Sequence, residues 1–137
     1  MRIDLRAAMN AVSEITMNRP LPIREFDQIY MRSGDIILHA EYIARNVDGK
    51  HLIFVGDGDA IGLTTVWLKE SGVLDYGPSS VTILDFDERV VNSVNEFADD
   101  HGIENVISGT LYNVVDPIPG RMVGQYDAFH INPPWGQ

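Results

Sequence analysis

The sequence predicts an α/β fold built on an open, Rossmann-like parallel sheet. A helical pattern gives way to a short apolar run at 51–55, and further apolar runs then alternate with amphipathic segments. The connections between these segments are short, as in right-handed βαβ units. A length of 137 residues is enough for one hydrophobic core but too short for two comfortable domains. We therefore expect one globular unit.

Two helices are expected before the sheet. Apolar residues from Leu5 to Ile15 recur at helical spacing and predict a helix over 3–17, which a proline-rich stretch ends. A similar pattern predicts a second helix over about 35–47, with Ser33 as its cap. We accordingly divide the chain into an N-terminal helical segment, 1–33, and a Rossmann-like domain, 34–137.

The sheet itself is expected to contain about four strands. Apolar runs predict them at 51–55, 81–84, 106–107 and 128–131. Helices are predicted over 61–71 and 88–101, each followed by a glycine, Gly72 or Gly102, where a left-handed residue can end a helix. The expected domain is therefore an incomplete open sheet preceded by two helices.

Composition narrows the class of partner. Twenty acidic and ten basic residues give a net charge of −10, which disfavours nucleic acid and favours a cationic or small-molecule partner. The absence of cysteine excludes thiolate metal sites, and the four histidines lack metal-ligand spacing, so we expect no metal. No apolar run approaches membrane-spanning length, and we expect a cytoplasmic protein.

A glycine-rich loop, GDGDAIG at 56–62, follows the first strand, where doubly wound folds bind nucleotide-like ligands. Gly56 and Gly58 would let the backbone approach such a ligand, although a plain strand-to-helix turn also uses glycine. Asp57 and Asp59 oppose a pyrophosphate, and the glycine spacing departs from the dinucleotide fingerprint. The loop favours a cationic donor such as S-adenosylmethionine or its decarboxylated form.

Asp85 is the residue expected to bind the ribose of the ligand. It ends the second strand, where an acid can accept hydrogen bonds from both ribose hydroxyls of an adenosine. The alternative is a solvated turn or cap, because Asp87 and Glu88 follow directly and acids favour a helix N-terminus. We interpret Asp87 and Glu88 themselves as caps.

The tetrapeptide Asn132-Pro133-Pro134-Trp135 follows the last strand. Its prolines leave carbonyls without competing amides, and the Asn132 side chain adds another acceptor. Such acceptors can hold an amine and direct its lone pair, while Trp135 can stack on a planar group or a cation. The alternative is a proline turn with a packed tryptophan.

Four short segments occur in a characteristic order: GDGD at 56–59, DFDER at 85–89, YNVVDPIP at 112–119 and NPPW at 132–135. With them the chain resembles the class I S-adenosylmethionine-dependent methyltransferase fold. More narrowly, from about Phe26 to its end, it resembles the branched-chain polyamine synthase family, N4-bis(aminopropyl)spermidine synthase. That family has GDDD, DIDER, YDLR-x-PLP and DPPY-type segments.

The resemblance implies transfer of aminopropyl groups from decarboxylated S-adenosylmethionine to a polyamine, with Asp57 and Asp59 binding cationic substrates. Asp59 is the expected base, because the amine must attack as its free base. The expected catalytic residues are Asp59, Asn132, Pro133 and Trp135. The expected cofactor-binding residues are Gly56, Asp57, Gly58, Asp85, Phe86 and Asn113.

The chain also departs from the family pattern. Gly58 replaces the middle acid of the family's first segment, and Asn113 stands where the family has Asp. With Asn132 and Trp135, the tetrapeptide is closer to the NPPY or NPPW segment of amino-group methyltransferases. N-methyl transfer to an exocyclic adenine amine or a protein side chain therefore remains an alternative. A non-catalytic fragment or subunit is another, because the sequence ends at Gln137, where this fold usually adds strands.

The last predicted strand would then have an open outer edge. Unpaired backbone groups beside apolar side chains favour pairing with another chain. We expect self-association or a partner chain at this edge.

Overall fold

The computed structural model describes residues 4–17, 26–56, 60–112 and 128–131. Helices and strands follow one another in this order: α1 Leu5–Met17, α2 Phe26–Asn46, β1 His51–Val55, α3 Ile61–Glu70, β2 Ser80–Asp85, α4 Glu88–Asp100, β3 Ile107–Leu111 and β4 Ala128–Ile131. Strands therefore alternate with helices from β1 to β3, as the change of hydrophobic period predicts.

The four strands form one parallel sheet in the order β3-β2-β1-β4. This confirms the predicted α/β class and its Rossmann-like, four-stranded sheet. The chain adds β2 and β3 on one side of β1 and then returns to place β4 on the other side. A crevice forms at such a reversal, at the carboxyl ends of the strands, and ligands bind there in open α/β sheets.

The main core lies between one face of the sheet and helices α3 and α4. Alternate strand residues such as Leu52, Phe54 and Ile83 are at most 1% exposed and belong to one cluster with Val66 and Phe97. Ile53 and Leu84 form a second cluster, because successive side chains of a strand point to opposite faces. The continuous apolar run at 51–55 therefore corresponds to a strand that is buried on both faces.

Helices α1 and α2 pack against α3 through small side chains. A separate cluster of buried residues joins them: Ala8, Ala11, Val12, Ile37, Ala40, Ala44, Leu68 and Leu74. Alanines at these positions allow the helix backbones to approach closely. No helix in the described part of the chain is long and apolar enough to span a membrane.

Two element boundaries differ from the sequence predictions. Helix α2 begins at Phe26 rather than near residue 35, so the expected division after residue 33 falls inside this helix. Gly34 lowers the local helix propensity, and the burial of Ile37 and Ala40 later in the same helix outweighs this local preference. Strand β3 runs over Ile107–Leu111, longer than predicted, because its small polar residues pair with β2 without an apolar signal.

Candidate functional site

The first strand ends at a glycine with a left-handed backbone. Gly56 has φ 81°, and its N–H donates a hydrogen bond of 2.7 Å to the carbonyl of Leu84. A positive φ is favourable for glycine alone, so this position depends on the residue type. Val55 pairs with Leu84 on one side and with Ile131 on the other, which places three strand ends at one edge of the sheet.

Asp85 is a buried acid at this edge. It is 5% exposed, and its Oδ1 accepts a hydrogen bond of 2.8 Å from the Asp87 N–H. Its backbone carbonyl accepts a bond of 2.7 Å from the Tyr112 N–H, which ties the end of β3 to the end of β2. A backbone hydrogen bond therefore holds the carboxylate at the carboxyl end of β2, and its expected binding of ribose stays a prediction.

Asp87 is the N-cap of helix α4, which confirms its interpretation as a cap, whereas Glu88, also interpreted as a cap, is the first residue of the helix itself. The Asp87 Oδ1 accepts a hydrogen bond of 2.9 Å from the Arg89 N–H, and its carboxylate also pairs with the Arg89 guanidinium at 3.0 Å. The hydrogen bond from the Arg89 side chain, followed by that from its backbone, lowers the pKa of Asp87.

Phe86 lies between Asp85 and Asp87 in the sequence, and its side chain is 55% exposed. A large exposed aromatic ring here can contact a ligand.

Glycine has a packing role at the start of α3. A Cβ atom at Gly62 would lie 2.7 Å from Ile83 Cδ1 and 3.1 Å from Phe54 Cγ, so a larger residue would force these two side chains to shift. Gly62 therefore lets α3 approach β1 and β2 closely, as the third glycine of nucleotide-binding turns does. The sequence pattern alone does not predict this packing role.

Several predicted site residues lie outside the described residues: Asp57, Gly58, Asp59, Asn113, Asn132, Pro133 and Trp135. Their described neighbours share the same edge of the sheet. Gly56 precedes Asp57, Tyr112 precedes Asn113, and Ile131, the pairing partner of Val55, precedes Asn132. The roles of the seven residues remain predictions.

Tyr112 is a further described residue at this edge, and the sequence pattern did not predict it as a site residue. Its half-buried side chain packs against the apolar cluster of Ile53 and Leu84, and its N–H is bonded to the Asp85 carbonyl. The signal was its position as first residue of the YNVVDPIP segment. Among the described residues, no group of three histidines or acids could hold a metal ion.

A parallel sheet with this strand order, a left-handed glycine after β1 and a buried acid at the end of β2 define a Rossmann-like α/β protein of the kind that binds nucleosides at the strand ends. Residues 7–137 match the branched-chain polyamine synthase A C-terminal domain family. The chain belongs to this family.

Relatives and solved structures agree with this assignment. N(4)-bis(aminopropyl)spermidine synthase of Thermococcus kodakarensis is 31% identical over 123 residues, which are 88% of this chain and 33% of that protein. The branched-chain polyamine synthase of Thermus thermophilus, solved with N4-aminopropylspermidine and 5'-methylthioadenosine, has a TM-score of 0.67 at 23% identity. That comparison covers 96% of this chain and 36% of the other.

A dimethyladenosine transferase from Plasmodium falciparum shares the fold, with a TM-score of 0.51 and 19% identity over 73% of this chain and 32% of the other. The chain spans about a third of the length of the curated relatives that it matches.

Proposed function

We propose that this chain binds the donor and acceptor of an aminopropyl transfer, from decarboxylated S-adenosylmethionine to a polyamine nitrogen. The observation that carries the proposal is the buried, pre-oriented Asp85 beside Gly56, at the reversal of strand order in a polyamine synthase family member. The proposed site belongs to the domain expected over 34–137.

The donor nucleoside would occupy the ends of β1 and β2. Asp85 accepts hydrogen bonds from the ribose hydroxyls, and its burial excludes competing water. Gly56 lets the backbone approach the ligand, and the exposed Phe86 ring contacts the adenine face. Asn113, next to Tyr112, supplies a further polar contact. Methylthioadenosine in the related Thermus thermophilus structure supports a donor of this class.

The acceptor amine would lie between the acidic loop and the tetrapeptide. Asp57 and Asp59 bind the cationic polyamine, and Asp59 takes the proton of the attacking nitrogen. Asn132 and the Pro133 carbonyl hold the amine, and Trp135 covers it. N4-Aminopropylspermidine in the Thermus thermophilus structure supports a polyamine as acceptor.

The reaction would be a direct displacement at carbon. The free amine pair forms a bond to the aminopropyl carbon next to sulfur, the C–S bond breaks with its electrons moving to sulfur, and methylthioadenosine leaves. The attacking nitrogen loses its proton to Asp59. Since the sulfonium is a good leaving group, the residues contribute mainly positioning and proton removal.

Calorimetric titration with methylthioadenosine tests the nucleoside site. We expect Asp85→Ala to weaken binding by about 1.5–3 kcal/mol, because a charge-assisted contact is lost. Asp100→Ala, which removes an exposed acid at the end of α4, should leave binding unchanged. Asp85→Asn keeps an oxygen that can accept the Asp87 N–H hydrogen bond but lacks the charge. Weaker binding by this variant would therefore come from the lost carboxylate and not from a changed backbone at Asp87. Wild-type affinity in a folded Asp85→Ala variant would contradict the assignment.

A further inference from the structure

Helix α2 has one face in the core and an exposed strip on the opposite face. Ile37, Ala40 and Ala44 are buried in the cluster with α1 and α3. The residues of the exposed strip, which we call the α2 seam, are Asp35, Leu38, Tyr42 and Arg45.

The seam has the spacing of a helix–helix contact. Its residues are separated by three, four and three positions, so at 3.6 residues per turn they fall within an arc of about 80°. This alternation is the contact line of two packed helices in a coiled coil. Leu38 and Tyr42, at its centre, are 62% and 57% exposed. A single exposed leucine is ordinary, but two large apolar side chains on adjacent turns form a patch that a partner can cover.

Arg45, at one end of the seam, is held in place and still accessible. Its Nε donates to Oε2 of the buried Glu41 at 3.1 Å, and its guanidinium carbon lies 5.6 Å from the centre of the Tyr42 ring. The Arg45 side chain is nevertheless 54% exposed. Because these contacts already order the side chain, binding of a partner would cost little further entropy. Tyrosine and arginine are also the residue types that contribute most to protein–protein interfaces.

Opposite charges at the two ends of the seam indicate which partner fits it. Asp35 and Arg45 are ten residues apart, about 15 Å along the helix, which is too far for them to pair within one chain. A second α2 helix running antiparallel would place Asp35 opposite Arg45 and Leu38 opposite Tyr42, since both pairs are symmetric about position 40. A parallel second helix would instead place each charge opposite the same charge, which is unfavourable.

We propose that the α2 seam is a docking surface for a second copy of this chain, bound through antiparallel α2 helices about a two-fold axis. Such an interface uses the same patch on both copies. One helix per copy buries less area than a standard interface, so the dimer is weak, with a Kd of about 10–100 µM. The net charge of −10 on each copy opposes association, and physiological salt screens this repulsion beyond about 8 Å.

Sedimentation equilibrium at physiological ionic strength, over about 10–500 µM of the 137-residue chain, tests the dimer. We expect Leu38→Glu to raise the dimer Kd about ten-fold or more, because the altered contact occurs twice in a two-fold interface. Leu5→Glu makes the same change at a leucine of α1 that is 59% exposed, and it should leave the Kd within about two-fold of the wild type. Circular dichroism establishes that both variants fold.

Asp35→Asn tests the orientation of the two helices. In the antiparallel dimer it removes two exposed ion pairs and should raise the Kd about two- to ten-fold. In a parallel dimer it would remove a repulsion and lower the Kd. Asp100→Asn makes the same charge change at the end of α4 and should not raise the Kd.

Three outcomes would overturn the inference. One is a wild-type chain that stays monomeric over the whole concentration range. The second is wild-type association in a folded Leu38→Glu variant, which would assign the association to another surface, such as the edge of β4. The third is a lower Kd in Asp35→Asn, which would contradict the antiparallel arrangement. None of these measurements depends on the proposed transfer reaction.

Discussion

At the scale of single residues, Asp85 and Asp87 show how neighbouring acids acquire different roles. The Asp85 carboxylate is buried at a strand end, whereas Asp87 lies at the surface and bonds the first turn of α4. The two are linked, because the Asp87 N–H donates to Asp85 while the Asp87 carboxylate caps the helix. One short segment therefore orients the proposed ribose ligand and starts a helix.

The cap at Asp87 predicts a pH-dependent stability. We expect Asp87→Ala to lower the free energy of unfolding at neutral pH by about 1 kcal/mol, through loss of the capping bond. Hydrogen bonds from Arg89 lower the pKa of Asp87 in the folded protein. The contribution of Asp87 to the free energy of unfolding is therefore complete above its pKa in the unfolded chain, about 4. It is lost as the pH falls through the lower pKa of Asp87 in the folded protein.

Urea unfolding of the wild type and Asp87→Ala across the acidic range measures this effect. The difference between the two should shrink as the pH falls below about 4. Asp87→Asn retains a capping oxygen without the charge. Its free energy of unfolding should therefore exceed that of Asp87→Ala at neutral pH and should change less with pH in the acidic range than that of the wild type. A constant difference at all pH values would mean that Asp87 acts without its charge.

At the scale of elements, side-chain hydrogen bonds connect helices to the sheet and to loops. Asn95 of α4 is an example, because its amide group forms two hydrogen bonds with Gly109 of β3. Asn95 Nδ2 donates to the Gly109 carbonyl at 3.1 Å, and the Gly109 N–H donates to Asn95 Oδ1 at 2.8 Å. A Cβ at Gly109 would lie 3.1 Å from the Val91 carbonyl, so glycine permits this close approach. β3 is an outer strand of the described sheet, and the contact satisfies backbone groups on its edge.

Asn95→Ala should therefore expose the Gly109 N–H. We expect its amide to exchange with solvent about ten-fold faster or more, while β3 amides bonded to β2 remain protected. Stability should fall by about 1 kcal/mol for the lost hydrogen bonds. Hydrogen exchange followed by NMR measures both effects. Asn92→Ala, at an exposed position of the same helix, is the control and should leave Gly109 protected.

A buried acid joins α2 to the loop before β2. Glu41 is 4% exposed, and its Oε2 accepts hydrogen bonds from the Tyr76 hydroxyl at 2.7 Å and Arg45 Nε at 3.1 Å. Burial, and then the hydrogen bond to Glu41, raise the pKa of Tyr76 to about 12. The contact is therefore at full strength below pH 10 and is lost as the pH rises toward the folded value.

We expect Tyr76→Phe to lower the free energy of unfolding by about 1.5–3 kcal/mol at neutral pH, because a buried carboxylate loses a donor. The loss should diminish above about pH 10, where the wild type begins to lose the contact as well. Denaturant unfolding checks the magnitude. Tyr42→Phe, at a tyrosine that is 57% exposed, should have little effect. Equal stabilities of the two variants would show that the Tyr76 hydroxyl does not support Glu41.

At the scale of the whole molecule, charge and topology act together. The chain has a net charge of −10. The strand order of its sheet reverses between β1 and β4, where folds of this kind form a ligand-binding crevice. A negative field raises the local concentration of polycations and repels anions. The charge balance is thus consistent with the proposed polyamine acceptor.

Salt should distinguish the two proposed ligands. We expect spermidine affinity to fall roughly ten-fold between low and physiological ionic strength, because exposed charges are screened over a Debye length. Methylthioadenosine is neutral, and its affinity should change little. Calorimetric titrations at several salt concentrations check this. Equal salt dependence of both ligands would contradict an acidic polyamine site.

The expected association through the outer edge of β4 stays a prediction. β4 pairs with β1 in the described sheet, and light scattering of the purified chain measures its oligomeric state. A stable monomer at tens of micromolar, roughly the range that reveals weak association, would contradict it.

The local sequence pattern was enough to predict the architecture. Strand β1 and the start of α4 lie where the apolar runs and acidic caps placed them, because period and capping are properties of a few adjacent residues. The start of α2 and the length of β3 were not predictable in this way. Gly34 and the small polar residues of β3 carry weak local signals. Pairing with β2 decides the extent of β3, and the burial of Ile37 and Ala40 in the cluster with α1 and α3 stabilises the helix that contains Gly34.

The same division applies to the candidate site. The sequence by itself determined the fold class and placed an acid at the end of β2 and a glycine directly after β1. Only the tertiary structure revealed the exposed seam of α2, the left-handed backbone of Ala60 at the start of α3 and the close packing at Gly62. The packing at Gly62 depends on how closely α3 approaches the sheet. That distance is set by side chains from β1 and β2 that are remote in sequence, so no local pattern records it.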